Sequence, residues 1–91
     1  MPISRDAALA RLRDARPITY DELDDIFNAF GFSGDLRYDE SIWYEHPKWS
    51  CGRFRAKPLY DFSTITEDQR GIVATMIQQL LAYERIGGKH V

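Results

Sequence analysis

Four cations and two aromatic rings are concentrated in one short part of the chain, residues 47–58. No Asp or Glu interrupts this basic segment, whose cations are Lys48, Arg53, Arg55 and Lys57. Trp49 and Phe54 lie among them. Lys and Arg side chains neutralise phosphates, and exposed aromatic rings stack on unpaired bases. The basic segment therefore predicts contact with RNA, and its candidate RNA-binding residues are Lys48, Trp49, Arg53, Arg55 and Lys57.

The spacing within the basic segment predicts a surface with two distinct sides. If residues 53–57 are extended, Arg53, Arg55 and Lys57 project from one side of a strand, and Phe54 and Ala56 from the other. Arg37, Tyr38, Trp43 and Tyr44 could extend this contact face, although one side of each strand must form core. An ordinary solvated strand face with Trp49 packed on the core has the same pattern, so that alternative stays open.

Three other features bear groups that could carry chemistry. The acidic residues Asp21, Glu22, Asp24 and Asp25 share one short stretch, whereas a metal site needs carboxylates that converge from several elements. We therefore expect a solvated acidic face, with no metal site and no cofactor. His46, next to a proline and the basic segment, is a candidate general base for attack by an RNA 2′-hydroxyl, or else a structural residue. Cys51 has cationic neighbours but no clear base partner, so we assign it no nucleophilic role.

Length, composition and charge limit the class of protein. The 91 residues suffice for one domain, and 44% hydrophobic with 29% charged residues indicates a folded chain. The formal net charge is −2, while the basic segment carries +4, so a nucleic-acid role must rest on a local patch. A single cysteine excludes an intrachain disulfide. The chain has no apolar run long enough for a membrane helix, and the N-terminus does not resemble a signal peptide. We expect a cytoplasmic protein without a membrane partner.

Helix signals stand at both ends of the chain. Ser4 is a predicted cap for a short helix over residues 4–16. Thr19 and Glu22 form a predicted capping box for a second helix that Gly31 ends. Its apolar stripe is Leu23, Ile26, Phe27 and Phe30. Thr66 and Gln69 form a second predicted capping box, for a last helix with a buried face of Ile72, Val73, Met76, Ile77, Leu80 and Leu81.

The middle of the chain has the period of β-strands. We expect strands near residues 36–38, over 41–46 and over 53–62, with a loop at 48–52 and an interruption at Pro58. Ile42 and Tyr44 share one face of the second strand, and Trp43 and Glu45 share the other. The predicted class is α+β, in the order helix, helix, strand, strand, strand, helix. Its three-stranded antiparallel sheet carries the helices on one face, in a single domain over residues 1–91.

This layout over residues 19–85 resembles the HicA-type toxins, small bacterial mRNA interferases with a double-stranded RNA-binding-domain-like fold. The anchors are Phe30-Gly31-Phe32 at the helix end, Tyr44-Glu45-His46-Pro47 closing the second strand, Lys57-Pro58-Leu59-Tyr60 in the third, and the final helix from Thr66 to Arg85. The resemblance implies an RNA-binding domain that acts on mRNA, and an antitoxin-like protein as partner. The helix over residues 4–16 is additional to that pattern.

The same alignment bears on catalysis. It places Ser41 where the HicA-type toxins have their catalytic histidine, and Tyr60 where they have a histidine after the third-strand proline. Cleavage would then require His46, which ordinary alternation puts with Ile42 and Tyr44, on the other strand face from Ser41. Whether the protein is an endoribonuclease stays open. The rival interpretation is a non-catalytic interaction module whose sheet face, with Trp43 and Trp49, docks a partner or a second copy of the chain.

Overall fold

Among the residues that the structure describes, three helices and three strands follow the predicted order. The computed structural model describes residues 2–57 and 64–87. The helices are α1 (Arg5–Arg13), α2 (Tyr20–Ala29) and α3 (Glu67–Arg85), and the strands are β1 (Ser33–Leu36), β2 (Ile42–His46) and β3 (Trp49–Ala56). Both strand pairs are antiparallel, and the sheet order is β1-β2-β3. The predicted α+β class with a three-stranded meander is confirmed.

Each helix begins at the predicted cap. The Ser4 hydroxyl accepts a hydrogen bond from the backbone N–H of Ala7, at 3.1 Å. Both predicted capping boxes are complete, with Thr19 and Glu22 at α2 and Thr66 and Gln69 at α3. These side chains satisfy backbone N–H groups that a helix start leaves without partners. Helix α1 is shorter than the predicted 4–16, because Asp14 has already left the helical conformation.

One face of the sheet forms the core with the helices. Tyr44, Phe54 and Ala56 point inward from β2 and β3 and are buried with residues of α2 and α3. The predicted stripe of α2, Leu23, Ile26, Phe27 and Phe30, is completely buried. Of α1, only Ala8 is buried among the residues that the structure describes. The outward side chains of β2 and β3 at Trp43, Glu45, Arg53 and Arg55 are exposed.

The first strand lies earlier in the chain than the sequence pattern predicts. It spans Ser33–Leu36 rather than residues 36–38. The reason is the turn that follows, where the Arg37 N–H donates to the Ser41 carbonyl at 2.8 Å and Glu40 adopts a positive φ of 68°. Gly34 lies within the strand and pairs with Tyr44, whose ring packs close to it. A Cβ at this position would come within 2.9 Å of the ring.

The third strand also differs from the prediction. The predicted loop 48–52 is wrong, since β3 begins at Trp49 and leaves only Pro47 and Lys48 in the turn. The strand ends at Ala56, and the predicted continuation over residues 58–62 lies outside the described residues. The predicted alternation is confirmed, because Arg53, Arg55 and Lys57 are exposed while Phe54 and Ala56 are buried.

Helix α3 is the longest element, with 19 residues. Its predicted buried face is confirmed at Val73, Met76, Ile77 and Leu80, whereas Ile72 is 56% exposed. Arg70 is buried instead, and its guanidinium donates hydrogen bonds to the backbone carbonyls of Leu12 and Arg16, at and beyond the end of α1. Across residues 2–57 and 64–87, no helix combines the length and apolarity needed to span a membrane.

Candidate nucleic-acid interface

The uncovered side of the sheet, which we call the open face, brings together side chains from all three strands. Asp35, Trp43 and Arg55 form one row across the sheet, because their Cα positions pair in the strand register. Ser33, Glu45 and Arg53 form the next row. Arg37 and Asp39 of the β1–β2 turn and Lys57 after β3 border these two rows. Three of the five predicted RNA-binding residues, Arg53, Arg55 and Lys57, therefore project from one surface.

Trp43 lies at the centre of the open face and keeps 37% of its surface exposed. The guanidinium carbons of Arg37 and Arg55 lie 5.3 and 5.7 Å from the centroid of its indole ring. Both distances allow cation–π attraction. The indole N–H donates to the Ser41 hydroxyl oxygen, at 3.0 Å, which restricts the orientation of the ring. Trp43 is thus an exposed aromatic ring with a restricted orientation and two guanidinium groups within 6 Å.

Carboxylates offset part of the positive charge on the open face. Arg55 forms an ion pair with Asp39 at 2.7 Å, and Arg37 lies 3.3 Å from Asp35. Hydrogen bonds from Ser41, followed by the contact with Arg55, lower the pKa of Asp39 to about 2. That carboxylate is therefore ionised at neutral pH. Among the described residues, neither Arg53 nor Lys57 has a carboxylate within 4 Å.

Trp49 does not belong to the open face, although the basic segment suggested it as a base-stacking residue. Only 8% of its surface is exposed, and its ring lies 6.2 Å from that of Tyr83 on α3. The ring also covers the backbone of Gly52, where a Cβ would approach to 2.7 Å. The alternative reading, with Trp49 packed on the core, matches this placement. The exposed tryptophan of the molecule is Trp43.

An irregularity in β3 opens a second surface beside the open face. Glu45 pairs with Arg53 and His46 pairs with Trp49, so the register leaves Ser50, Cys51 and Gly52 without Cα partners on β2. Such bulges bend a strand and occur often beside functional sites. The bulge borders a depression of about 340 Å³, which we call the turn cleft. Its lining includes Glu45, His46, Lys48, Trp49, Arg53 and Tyr83.

The turn that bears Lys48 is anchored from both sides. The Lys48 N–H donates to His46 Nδ1 at 3.1 Å, and the Lys48 carbonyl accepts from the Tyr83 hydroxyl at 3.1 Å. His46 Nε2 lies 3.1 Å from the Phe30 carbonyl, at the end of α2. Because Nδ1 accepts a hydrogen bond, Nε2 must carry the ring proton and donate it to that carbonyl. The backbone of Lys48 is therefore fixed between the end of α2 and α3.

The two candidate catalytic residues are both engaged in structural contacts. His46 uses both ring nitrogens on backbone groups, so neither offers a lone pair to a substrate hydroxyl. Ser41 has no exposed surface, and its hydroxyl donates to Asp39 and accepts from Trp43. These placements differ from the catalytic roles considered for His46 and Ser41. The first residue orders the β2–β3 turn, and the second orders the β1–β2 turn.

The acidic stretch of α2 serves the fold. Glu22 completes the capping box and forms a hydrogen-bonded ion pair with Arg11 of α1, which lowers the pKa of Glu22 to about 2. Asp24 accepts hydrogen bonds from the Tyr44 hydroxyl at 2.9 Å and from Asn28 at 3.0 Å. Over the described parts of the chain, no three His, Cys, Asp or Glu side chains group in a way that could hold a metal ion.

The functional residues that sequence reasoning missed are those defined by pairing across the fold. Tyr83 joins the turn cleft from α3, 35 positions away from the Lys48 carbonyl that it contacts. Asp35 and Asp39 reduce the charge of the open face, and nothing in their local sequence indicates which cation they meet. Comparison with known proteins adds no relative, because no family model, curated protein or solved structure matches the chain.

Proposed function

We propose that the protein binds single-stranded RNA on the open face. The observation that carries this proposal is Trp43, an exposed indole with two arginines within 6 Å, on a sheet face that no described helix covers. Bases stack on aromatic rings and on guanidinium planes, whatever their sequence. Arg53, Arg55 and Lys57 supply cations along the adjacent strand. A strand of RNA laid over the sheet would meet stacking and phosphate contacts together.

The arrangement favours a single strand over a duplex. Trp43 can stack only on a base that has no stacked neighbour on that side, which a regular duplex does not provide. The net charge of −2 for the whole chain also favours a local, moderate interaction over broad polyanion binding. Binding therefore depends on combining one or two stacked bases with a few phosphate contacts.

The element order is consistent with the resemblance to HicA-type toxins. Helix α2, the three strands and α3 follow the order of a double-stranded RNA-binding-domain-like fold. On that resemblance we propose mRNA as the target and an antitoxin-like protein as partner. An adjacent small antitoxin-like reading frame would support this finer assignment.

Binding without cleavage agrees best with the site. His46 and Ser41 lack a free, accessible catalytic atom, and a proton acceptor must reach the 2′-hydroxyl to promote its attack. We therefore expect RNA to stay intact when it is incubated with the protein. If RNA is cut and His46→Ala abolishes the cutting, the protein is an endoribonuclease and this part of the proposal fails.

Fluorescence anisotropy with a short, unstructured, labelled RNA tests the proposal over a range of salt concentrations. The triple change of Arg53, Arg55 and Lys57 to Ala should reduce the slope of log K against log salt by up to about 2, since each lost contact removes about 0.7 on single strands. Trp43→Ala should weaken binding by about 1–3 kcal/mol through lost stacking. The triple change of Arg13, Arg16 and Arg85 to Ala removes three exposed cations outside the open face and is the matched control.

The result that would end the RNA proposal is the absence of measurable binding at low salt. Equal losses in the triple variant and in the control would remove the open face from consideration, because the effect would then be one of net charge. Unchanged thermal unfolding in each variant is required for these comparisons.

A second candidate function is docking of a protein partner on the same side of the sheet. Trp43 is exposed at the centre of this side, with the guanidinium groups of Arg37 and Arg55 within 6 Å of its ring. Arginine and aromatic residues are also enriched in protein interfaces. Association through apolar side chains depends weakly on salt, whereas RNA binding weakens steeply. Light scattering over a range of protein concentrations would detect self-association, and its loss in Trp43→Ser would favour this candidate.

A further inference from the structure

The turn cleft brings together two cations that form no ion pair with the described residues. Lys48 and Arg53 both line it, and neither has a carboxylate within 4 Å in the part of the chain that the structure describes. Arg55, by contrast, is held by Asp39 at 2.7 Å, and Arg5 by Glu84 at 2.7 Å. An unpaired lysine and an unpaired arginine on one concave surface match an anion with several acceptor oxygens.

The cleft is also built before a ligand arrives. His46 and Tyr83 hold the backbone of Lys48 from two sides, and the Trp49 ring rests on Gly52 to form one wall. A pre-organised site loses little conformational freedom on binding, which favours affinity. The cleft volume of about 340 Å³ lies at the lower end of the usual range for small-molecule sites, roughly 300–1,000 Å³.

We propose that the turn cleft binds a phosphomonoester, with Lys48 and Arg53 contacting the phosphate oxygens. A phosphomonoester carries about −1.5 to −2 charges at pH 7, so it meets two cations better than the single charge of a phosphodiester does. The Trp49 and Tyr83 side chains give the cleft an aromatic side that can contact the organic part of the ligand. The proposal does not depend on RNA binding at the open face.

Glu45 is the opposing charge in the cleft. It pairs with Arg53 in the strand register and forms no ion pair within 4 Å with any residue that the structure describes. Its carboxylate repels a phosphate, so it limits the affinity of the site. The direction of the change in affinity on removing this charge therefore tests the proposal. Glu45→Gln should strengthen phosphomonoester binding, whereas an unspecific loss of structure would weaken it.

The phosphomonoester could come from a free nucleotide or from the 5′ end of an RNA strand. Isothermal titration calorimetry of the full chain with adenosine 5′-monophosphate measures its affinity for a free nucleotide, with adenosine as the uncharged control. Titrations with short RNAs of one sequence that carry either a 5′-phosphate or a 5′-hydroxyl measure its affinity for an RNA end. Amide chemical shifts locate the site, and we expect changes at residues 45–53 and 83.

We expect the monophosphate to bind and adenosine not to bind. Lys48→Ala and Arg53→Ala should each weaken binding about tenfold, since a charged hydrogen bond is worth about one such factor. Lys57→Ala, on the open face outside the cleft, should leave the affinity for the monophosphate unchanged. Lys48→Met keeps the apolar stem of the side chain and confirms that the charge is responsible if Lys48→Ala unfolds the protein.

The two sources give different patterns, and both support the proposal. A preference for 5′-phosphorylated RNA that disappears in Lys48→Met assigns the cleft to an RNA end. Equal affinity for the nucleotide and the phosphorylated RNA assigns it to the phosphomonoester alone. The proposal is overturned if neither ligand shifts residues 45–53, or if Lys48→Met and Glu45→Gln leave the affinity unchanged. Monophosphate binding without any binding of 5′-hydroxyl RNA would contradict only the proposed open-face function.

Discussion

Gly52 shows how one residue shapes the turn cleft. A Cβ at this position would lie 2.7 Å from the Trp49 ring and 2.9 Å from the Phe32 ring, so neither ring could keep its place. Trp49 can cover the bulge only because residue 52 has no side chain. The aromatic wall of the cleft therefore requires that residue 52 has no Cβ. A side chain there would displace Trp49 from the bulge and change the shape of the cleft.

Two glycine substitutions test this dependence. Gly52→Ala should destabilise the protein by about 1–3 kcal/mol, because overpacking forces rings and backbone to move. Gly71→Ala is the control, since a Cβ at this position in α3 would have no atom within 4 Å apart from its chain neighbours and the backbone of its own helix. There, alanine should stabilise the helix by up to about 1 kcal/mol. Urea unfolding monitored by tryptophan fluorescence measures both changes, and equal stabilities for the two variants would refute the close approach.

At the scale of elements, α1 is held by polar contacts as well as by apolar packing. Ala8 is its single buried residue among those described, and Leu9 and Leu12 pack partly buried against the core. The buried guanidinium of Arg70 in α3 donates to the carbonyls of Arg11, Leu12 and Arg16, at 2.9–3.3 Å. These carbonyls lie at and beyond the C-terminal end of α1, where a helix leaves such groups without partners and where a cation is favourable. Arg5 adds a bidentate ion pair with Glu84.

Removing the guanidinium should release α1 selectively. We expect Arg70→Met to accelerate amide exchange over residues 5–13 and to lower the free energy of unfolding by about 1–3 kcal/mol, the cost of leaving buried polar groups without partners. Arg85→Met makes the same chemical change at an exposed position of α3 and should have little effect. Exchange in α1 that stays as slow as in the unchanged protein would mean that Arg70 does not hold this helix.

The elements divide according to whether local or distant contacts define them. Thr19 with Glu22 and Thr66 with Gln69 encode helix starts within four residues, so the sequence alone predicts them. The end of β1 depends on the hydrogen bond between Arg37 and Ser41 in the turn that follows it, and the start of β3 depends on a bulge of three residues. The sequence could place cations on one strand face, but it could not decide between Trp43 and Trp49. That choice depends on the bulge and on packing against Tyr83 of α3.

For the whole molecule, charge distribution decides what the open face can attract. The chain carries −2 overall, and the face combines Arg37, Arg53, Arg55 and Lys57 with Asp35, Asp39 and Glu45. Arg37 forms an ion pair with Asp35, and Arg55 forms one with Asp39. RNA must therefore compete with Asp35 and Asp39 for two of the four cations on the open face. The face is thus set for weak, salt-sensitive binding in which Trp43 provides selectivity for unpaired bases.

Releasing one of these cations should strengthen RNA binding. Asp39→Asn removes the charge 2.7 Å from Arg55 while its amide oxygen can still accept the hydrogen bonds from Ser41. Because Arg55 then meets phosphate without a competitor, the affinity should rise at low salt and the slope of log K against log salt should steepen by up to about 0.7. Asp6→Asn in α1 changes the net charge equally, away from the face. Anisotropy titrations of both variants separate the two causes: equal gains would show that net charge alone governs binding, and no gain in Asp39→Asn would remove Arg55 from the RNA contact.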